Sequence, residues 1–306
     1  TKASKGFIAR CRKLSLSVSD LRLKTQTHSA LTPEESAFIE IACSIYDAYL
    51  NRISATGEED FDGLMRRATE IVSSGNTIFK RRSTDGDLGS LRHICIDEFQ
   101  DFSNPELKFL RALVAEGCND LFLTGDPMQR IYSGRKINFS AAGINVRGVR
   151  SRRLKINYRT TEPIKRVAVS IIKGQTYDDM DGGTESTKGY VSLIHGGEKP
   201  KYIMVSNATE EVTQVAEWVE ACKNGGISLK DICIAAPSMG LMKELQTRLH
   251  TDGTAYKVLK GTSKQGASDG VSLCTFHSLK GLEFKAVILM GVNERNVPSK
   301  ATEAYP

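Results

Sequence analysis

Short apolar runs that end in polar or glycine-bearing loops recur through most of this chain of 306 residues. Runs of this length are typical of β-strands, and helical segments lie between several of them. Strands that alternate with helices indicate parallel sheets of the α/β class. The predicted strands are 93–96, 120–123, 190–194, 202–205, 231–235, 256–259, 271–274 and 286–290, and the intervening predicted helices are 104–115, 210–222 and 241–250.

The first 75 residues show helical periodicity instead. Thr32 precedes Pro33, Glu34 and Glu35, which is the pattern of an N-cap, a proline at the first helical position and acids in the first turn. We predict that a helix begins after Thr32 and that a second helix covers residues 61–72. The N-terminal part of the chain is therefore expected to form a helical subdomain over residues 1–75.

The charge of the chain is unevenly distributed. The net charge is +6, but residues 130–173 contain twelve basic side chains and a single acid, Glu162. A basic block of this kind is often only a solvated surface. Because this block adjoins the motifs described below, we expect it to face an anionic partner, such as nucleotide phosphates or a nucleic-acid backbone.

The cysteines and the apolar runs bear on the location of the protein. Seven cysteines are scattered along the chain without a CxxC pair, which favours reduced core thiols over a disulfide framework or a zinc site. No run of 18 apolar residues exists, and no apolar segment follows the basic start of the chain. We expect a cytoplasmic protein with no membrane partner.

Residues 94–101 are the most informative stretch for chemistry. An apolar run ends in Asp97 and Glu98, and Gln100 and Asp101 follow. Adjacent side chains on a strand point to opposite faces, so two carboxylates at a strand end diverge into the loop that follows. That arrangement suits one acid beside a magnesium ion and a neighbour that polarises a water. The alternative is an acidic strand end at the surface.

Four motifs follow one another in a fixed order, and together they resemble a UvrD/Rep-type superfamily 1 helicase. The resemblance covers nearly the whole chain. It implies two RecA-like parallel-sheet domains with a helical N-terminal subdomain: residues 1–75 form the subdomain, 76–153 the rest of the first domain, and 154–306 the second, incomplete domain. The motifs are Asp97 to Asp101, Gly125 to Tyr132, Asn157 to Arg159, and Thr275 to Phe284.

The resemblance also implies a role for each motif residue in ATP hydrolysis. Asp97 would hold Mg²⁺ through its water shell, and Glu98 would orient and deprotonate the attacking water. Gln129 would sense the γ-phosphate, because a neutral amide can both donate and accept. Arg159 would act as an arginine finger across the cleft between the two domains, where ATP is hydrolysed.

Further residues would bind the nucleotide or DNA. Tyr158 would stack on adenine, Glu283 would accept from the ribose, and Gly281 belongs to the same nucleotide-binding set. The residues that would contact the backbone and the bases of single-stranded DNA are Arg130, Tyr132, Thr275 and His277. The alternatives are a core position for Tyr158 and a turn-capping role for His277.

The chain departs from the family at both ends. The phosphate-binding pattern GxxxxGK[ST] does not occur in it, and the last family motif would lie after residue 306. We expect a central fragment of a longer helicase that is inactive by itself; a degenerate relative that no longer hydrolyses ATP is the alternative.

The resemblance therefore implies an ATP-dependent translocase or helicase that uses ATP and Mg²⁺ and acts on single-stranded DNA or single-strand/double-strand junctions. A protein partner in a DNA repair or defence complex is a further expectation. The rival hypothesis is a helicase-like module that binds DNA or protein without hydrolysis, which the missing phosphate-binding loop favours for this chain.

Overall fold

The computed structural model divides the chain into two compact units, Thr1–Glu198 and Lys199–Pro306, which are described separately. The structure describes residues 2–13, 16–27, 31–74, 81–82, 88–89, 91, 93–114, 120–131, 137–172, 177–178, 184–185, 189–259 and 269–297.

The described residues at the start of the first unit form four helices, and the sequence predicts the third and the fourth of them individually. They are α1 (Lys2–Lys13), α2 (Val18–Thr27), α3 (Pro33–Thr56) and α4 (Phe61–Ser73). Thr32 caps α3 in a reciprocal pair: its Oγ1 accepts from the Glu35 backbone N–H at 3.2 Å, and the Glu35 carboxylate accepts from the Thr32 backbone N–H at 2.9 Å. This capping box satisfies two backbone donors that the helix itself leaves without a partner.

A buried arginine joins α1 to the start of α4. The Arg12 guanidinium lies 2.7 Å from the Glu59 carboxylate and contacts both carboxylate oxygens of Asp60, at 2.6 and 2.8 Å. Asp60 is also the N-cap of α4, where its Oδ1 accepts from the Gly63 backbone N–H at 2.7 Å. Tyr49 of α3 donates to the same carboxylate at 2.7 Å, so one acid links three helices.

The other described residues of the first unit form short strands, short 3-10 helices and two α-helices. The strands are β1 (Arg81–Arg82), β2 (Leu88–Gly89), β3 (Ile94–Ile96), β4 (Leu121–Leu123), β5 (Ile156–Thr161), β6 (Tyr177–Asp178), β7 (Thr184–Glu185) and β8 (Val191–Ile194), and the helices are α5 (Asn104–Ala112) and α6 (Glu162–Ile171). The pairs β3–β4 and β5–β8 are parallel, and β1–β2 and β6–β7 are antiparallel.

The β3–β4 pair rests on an apolar core that fixes the loop after β3. Ile96, Leu107 and Phe139 are buried in this core, together with the apolar residues that follow Phe139. Phe99, in the loop after β3, packs edge-on against Phe139 with ring centroids 5.2 Å apart. The aromatic contact anchors the loop that carries the two carboxylates.

The described residues of the second unit form a four-stranded parallel sheet with helices packed on it. Its elements are α7 (Ala208–Asn224), β9 (Ile232–Ala236), α8 (Lys243–Thr251), β10 (Tyr256–Val258), β11 (Val271–Thr275), α9 (Phe276–Leu279) and β12 (Ala286–Leu289). The strand order is β10–β11–β9–β12, and all pairs are parallel. The structure thus confirms the α/β class, with parallel sheets.

The central strand β9 is covered on both faces. Ile232 and Ile234 pack with α7 and α8 on one face, and Cys233 and Ala235 pack with Cys274 on the other. This burial explains why β9 has a continuous apolar sequence and not an alternating one, since a strand inside a parallel sheet has no solvated face.

One predicted strand is wrong. Residues 202–205 are not in a strand, and Tyr202 and Met204 are 81% and 97% exposed. An apolar run forms a strand only where a neighbouring strand accepts its backbone hydrogen bonds, and the described residues supply no such neighbour here. Among the helices given above, none combines the length and apolar character needed to cross a bilayer.

Candidate active site

The two carboxylates lie in the loop that follows β3, beside the corresponding loop of β4. The parallel register pairs Ile96 with Leu123, so Asp97 and Thr124 are the next positions along the two strands. The Thr124 Oγ1 donates to Asp97 Oδ1 at 2.6 Å, and the Glu98 backbone N–H donates to the same oxygen at 2.9 Å.

These hydrogen bonds stabilise the charged form of Asp97. The bond from Thr124, followed by that from the Glu98 backbone, lowers the pKa of the Asp97 carboxyl below its ordinary value. Asp97 is exposed to solvent. The result is an accessible carboxylate anion at neutral pH.

Glu98 adopts a strained backbone conformation. Its φ and ψ are 52° and 44°, in the left-handed region, and no other described residue except glycine has a positive φ. Such a conformation costs about 1–3 kcal/mol and persists where the surroundings enforce it, as is common at functional sites. The Phe99 backbone N–H donates to the Thr124 carbonyl at 3.0 Å and helps to hold this turn.

The loop after β4 carries Gln129 and is tied to the same place. The Gln129 Nε2 donates to Asp126 Oδ2 at 3.0 Å, and the Met128 backbone N–H donates to Asp126 Oδ1 at 3.0 Å. Asp126 itself donates its backbone N–H to Oε1 of the buried Gln100 at 2.9 Å. Asp97, Glu98 and Gln129 therefore belong to one hydrogen-bonded group of loops.

Gly125 lets these loops approach each other. A Cβ atom at this position would lie 2.3 Å from Gln100 Oε1 and 2.6 Å from a ring carbon of Phe99. Any larger residue would push the two loops apart. Arg130 follows and is exposed, and Tyr132 lies outside the described residues.

Tyr158 and Arg159 lie on β5. The interrupted apolar pattern of 154–161 does not predict this strand. Asn157 Oδ1 accepts from the backbone N–H groups of Arg159 and Thr160 at 2.8 and 3.1 Å, and the strand register shifts at this point. The side chain of Asn157 thus replaces strand pairing locally. Tyr158 is 68% exposed, which excludes the alternative that it is a core tyrosine.

The remaining predicted residues gather in the second unit, after β11. Thr275 caps the short helix α9, its Oγ1 accepting from the Ser278 backbone N–H at 3.3 Å. His277 and Glu283 are exposed. Gly281 has φ 77°, which favours glycine and turns the chain between them. Thr275 caps the start of α9, before His277, and the alternative that His277 caps the turn after it stays a prediction.

The sequence analysis assigned no role in the site to Thr124, Asp126 or Gln100. A usable signal existed, because Asp97 and Thr124 each directly follow a predicted strand. Parallel neighbours place such positions side by side.

Comparison with known proteins identifies the family. The UvrD/REP helicase N-terminal domain model matches residues 3–141, and the UvrD-like helicase C-terminal domain model matches residues 152–264 and 258–304. The chain belongs to the UvrD-like helicase family. This confirms the resemblance and, with the parallel sheets, the RecA-like fold class.

Three relatives carry helicase names. UvrD1 of Mycobacterium tuberculosis, an ATP-dependent DNA helicase, is 26% identical over 281 residues, covering 82% of this chain and 33% of that protein. The ATP-dependent DNA helicase srs2 of Schizosaccharomyces pombe is 27% identical over 221 residues (70% and 23%). A probable DNA helicase II homolog of Mycoplasma pneumoniae is 27% identical over 257 residues (80% and 35%). The chain spans about a third of the length of the first of these relatives.

The boundary between the two family domains does not coincide with the boundary between the two compact units. The two family models meet between residues 141 and 152, whereas the compact units divide after Glu198. The first unit includes β5, α6 and β8 in addition to the residues of the N-terminal family domain. The division at residues 75 and 153 stays a prediction.

The donor set at Asp97 suits magnesium. Mg²⁺ is usually bound through one or two carboxylates, several waters and substrate phosphates, and not by a protein cage. In the described part of the chain, no group of three or more His, Cys, Asp or Glu side chains could form such a cage. Both hydrogen bonds described for the Asp97 carboxylate fall on Oδ1, so Oδ2 retains its capacity to accept from a metal-bound water.

Proposed function

We propose that the whole protein to which this chain belongs is an ATP-dependent DNA translocase or helicase. The observation that supports this most directly is the pair Asp97–Glu98, held by Thr124 and Gln100 and linked to the loop of Gln129. Phosphoryl transfer needs a metal-binding acid, a group that activates water and a polar side chain near the γ-phosphate.

Each of the three side chains has a chemical role. Asp97 would hold Mg²⁺, and a magnesium ion bound there would supply charge neutralisation at the phosphate oxygens. Glu98 orients and deprotonates the attacking water. Gln129 donates to the γ-phosphate or accepts from water through its amide, and Asp126 orients that amide.

Three other side chains would bind the nucleotide. Arg159 supplies positive charge to the phosphates as an arginine finger, and Tyr158 stacks on adenine with its exposed ring. Glu283 accepts from the ribose hydroxyl, and the left-handed turn at Gly281 sets the path of the chain toward Glu283.

DNA is the proposed polymer substrate, as a single strand or at a junction. Arg130 and Thr275 contact the backbone, while Tyr132 and His277 contact bases or backbone. The Thr275 hydroxyl lies 3.0 Å from Ser278 Oγ and accepts from the Ser278 backbone N–H, so with Ser278 as donor its own proton is left for a phosphate oxygen. The scattered cysteines favour a cytoplasmic location, and a protein partner in DNA repair or defence is a further proposal.

The test is a conservative change at Glu98 in the full-length protein. Glu98→Gln removes the water-activating charge and keeps the size of the side chain, so DNA-stimulated ATP turnover should fall by about 10²–10⁴. ATP and DNA binding should remain within twofold. Glu40→Gln makes the same chemical change on the exposed face of α3 and serves as the control. A Glu98→Gln protein that keeps more than half of its turnover would contradict the proposal.

A second candidate function, binding without hydrolysis, is favoured for the isolated chain by the lack of a GxxxxGK[ST] sequence within it. We expect this chain alone to show no DNA-stimulated ATP turnover. Turnover above the blank that is inhibited by EDTA and lost in Asp97→Ala would contradict that expectation.

A further inference from the structure

Gln100 is a fully buried amide whose two ends bond to two different functional loops. None of its surface is exposed to solvent. Burying an amide is unfavourable unless its donor and its acceptor are both satisfied. The donor and the acceptor of Gln100 have partners in the two loops that carry the proposed chemistry.

The donor end holds Glu98. The Gln100 Nε2 donates to Glu98 Oε2, and Glu98 is the described non-glycine residue with left-handed backbone geometry. A hydrogen bond from a buried, rigid donor fixes one carboxylate oxygen, and with it the direction in which the carboxylate can accept a proton from water.

The acceptor end holds the loop of Gln129. Gln100 Oε1 accepts from the Asp126 backbone N–H at 2.9 Å, and the Asp126 carboxylate accepts from Gln129 Nε2 at 3.0 Å. The loop of Gln129 packs tightly against Gln100 here, because a Cβ on Gly125 would lie 2.3 Å from Gln100 Oε1. A displacement of the Gln129 loop is therefore transmitted to the amide, and through it to Glu98.

We propose that Gln100 is a positioning residue that couples the γ-phosphate-sensing loop to the orientation of the water-activating carboxylate. This inference rests on the proposed function, since it gives Gln100 an effect through Glu98. When Gln129 meets the γ-phosphate, the Asp126 amide and Gln100 hold Glu98 in the orientation for attack.

The alternative is a purely structural role, in which Gln100 only satisfies the buried Asp126 N–H. The two roles differ in their kinetic effects. Loss of a structural support loosens the Gln129 loop and raises the KM for ATP. Loss of a positioning contact misaligns Glu98 and lowers kcat, with KM changed little.

The experiment compares Gln100→Met with Gln214→Met in the full-length protein. Methionine keeps the length of the side chain but removes the amide. Gln214 lies on α7, where its amide donates to Glu217 at 3.2 Å outside any proposed site. We expect Gln100→Met to lower kcat by about 10- to 100-fold, with the KM for ATP within twofold, and Gln214→Met to leave both unchanged.

A double-mutant cycle with Glu98→Ala isolates the coupling. In the Glu98→Ala background, the rate of single-turnover hydrolysis of labelled ATP should be the same with and without the Gln100→Met substitution, because the carboxylate that Gln100 positions is gone. An equal fold-loss from Gln100→Met in both backgrounds, or a raised KM with unchanged kcat, would overturn the inference. A Glu98→Ala protein with full turnover would instead refute the proposed function itself.

Gly125→Ala is the second variant in case Gln100→Met does not fold. It displaces the Gln100 amide by steric contact but removes no hydrogen-bonding side chain. The inference requires the same loss of kcat, again absent in the Glu98→Ala background. Unchanged kcat in a folded Gly125→Ala protein would count against it.

Discussion

Replacement of Arg12 should destabilise the helical part of the first unit. Arg12→Met keeps much of the apolar stem but removes a guanidinium that contacts Glu59 and both oxygens of Asp60. The Arg12 side chain is 7% exposed, and those of Glu59 and Asp60 are 17% and 27% exposed. Two largely buried carboxylates would therefore lose their common cation.

The magnitude follows from the surroundings of Asp60. Burial alone would raise the pKa of Asp60, but hydrogen bonds from Arg12, Tyr49 and Gly63 outweigh it and lower this pKa from 3.8 to about 2. A shift of that size corresponds to about 2 kcal/mol, which the partial exposure of Asp60 reduces. Tyr49 and Gly63 remain in the variant, whereas Glu59 also loses its partner. We expect a net loss of about 2–3 kcal/mol, below the range for a fully buried pair.

Hydrogen exchange locates this effect on α1 and α4. In the full-length protein, a loss of about 2–3 kcal/mol should speed the exchange of protected amides in α1 and the first turns of α4 by about 30- to 150-fold.

Arg66→Met is the matched control, because Arg66 pairs with Glu70 on the surface of α4, with side-chain exposures of 47% and 61%. Such a pair contributes about 0–0.5 kcal/mol. Equal acceleration in both variants would refute the reasoning.

Three further predictions rest on the electrostatics of the described residues. As the folded-state pKa of Asp60 is lowered, its stabilising contribution is complete above about pH 4 and is lost as the pH falls toward 2. The protection factors of α4 amides, which are corrected for the pH dependence of the intrinsic exchange rate, should therefore fall over that window, and less so in Asp60→Asn. Thr124→Val removes the main hydrogen bond that lowers the pKa of Asp97. This pKa should therefore rise, and the acid limb of the ATPase pH profile should move to higher pH. An acid limb that stays at the same pH would contradict this prediction. Arg150 and Arg152 are exposed. Reversal of both charges should weaken oligo-dT binding, and the slope of log K against log salt should become shallower by about 0.7 for each lost phosphate contact. An unchanged slope, measured by fluorescence anisotropy, would show that these arginines do not contact the DNA.

Local patterns in the sequence determined the class of fold and the ends of several elements. The cap formed by Thr32 and Glu35 depends on residues three positions apart, and such contacts form within one helical turn whatever the rest of the chain does. The position of Asp97 and Glu98 after a strand was likewise predictable, because an apolar run followed by acids identifies a strand end. The family motifs added the proposed roles.

Tertiary structure decided which of these positions meet. Thr124 reaches Asp97 across 27 residues, and Asp126 reaches Gln100 across 26. Both contacts depend on the pairing and register of β3 with β4, which no local pattern specifies. The strand at Asn157 and the exposed run at Tyr202 differ from the apolar pattern for the same reason. A strand is defined by the neighbour that accepts its hydrogen bonds, and that neighbour is chosen only when the whole chain has folded.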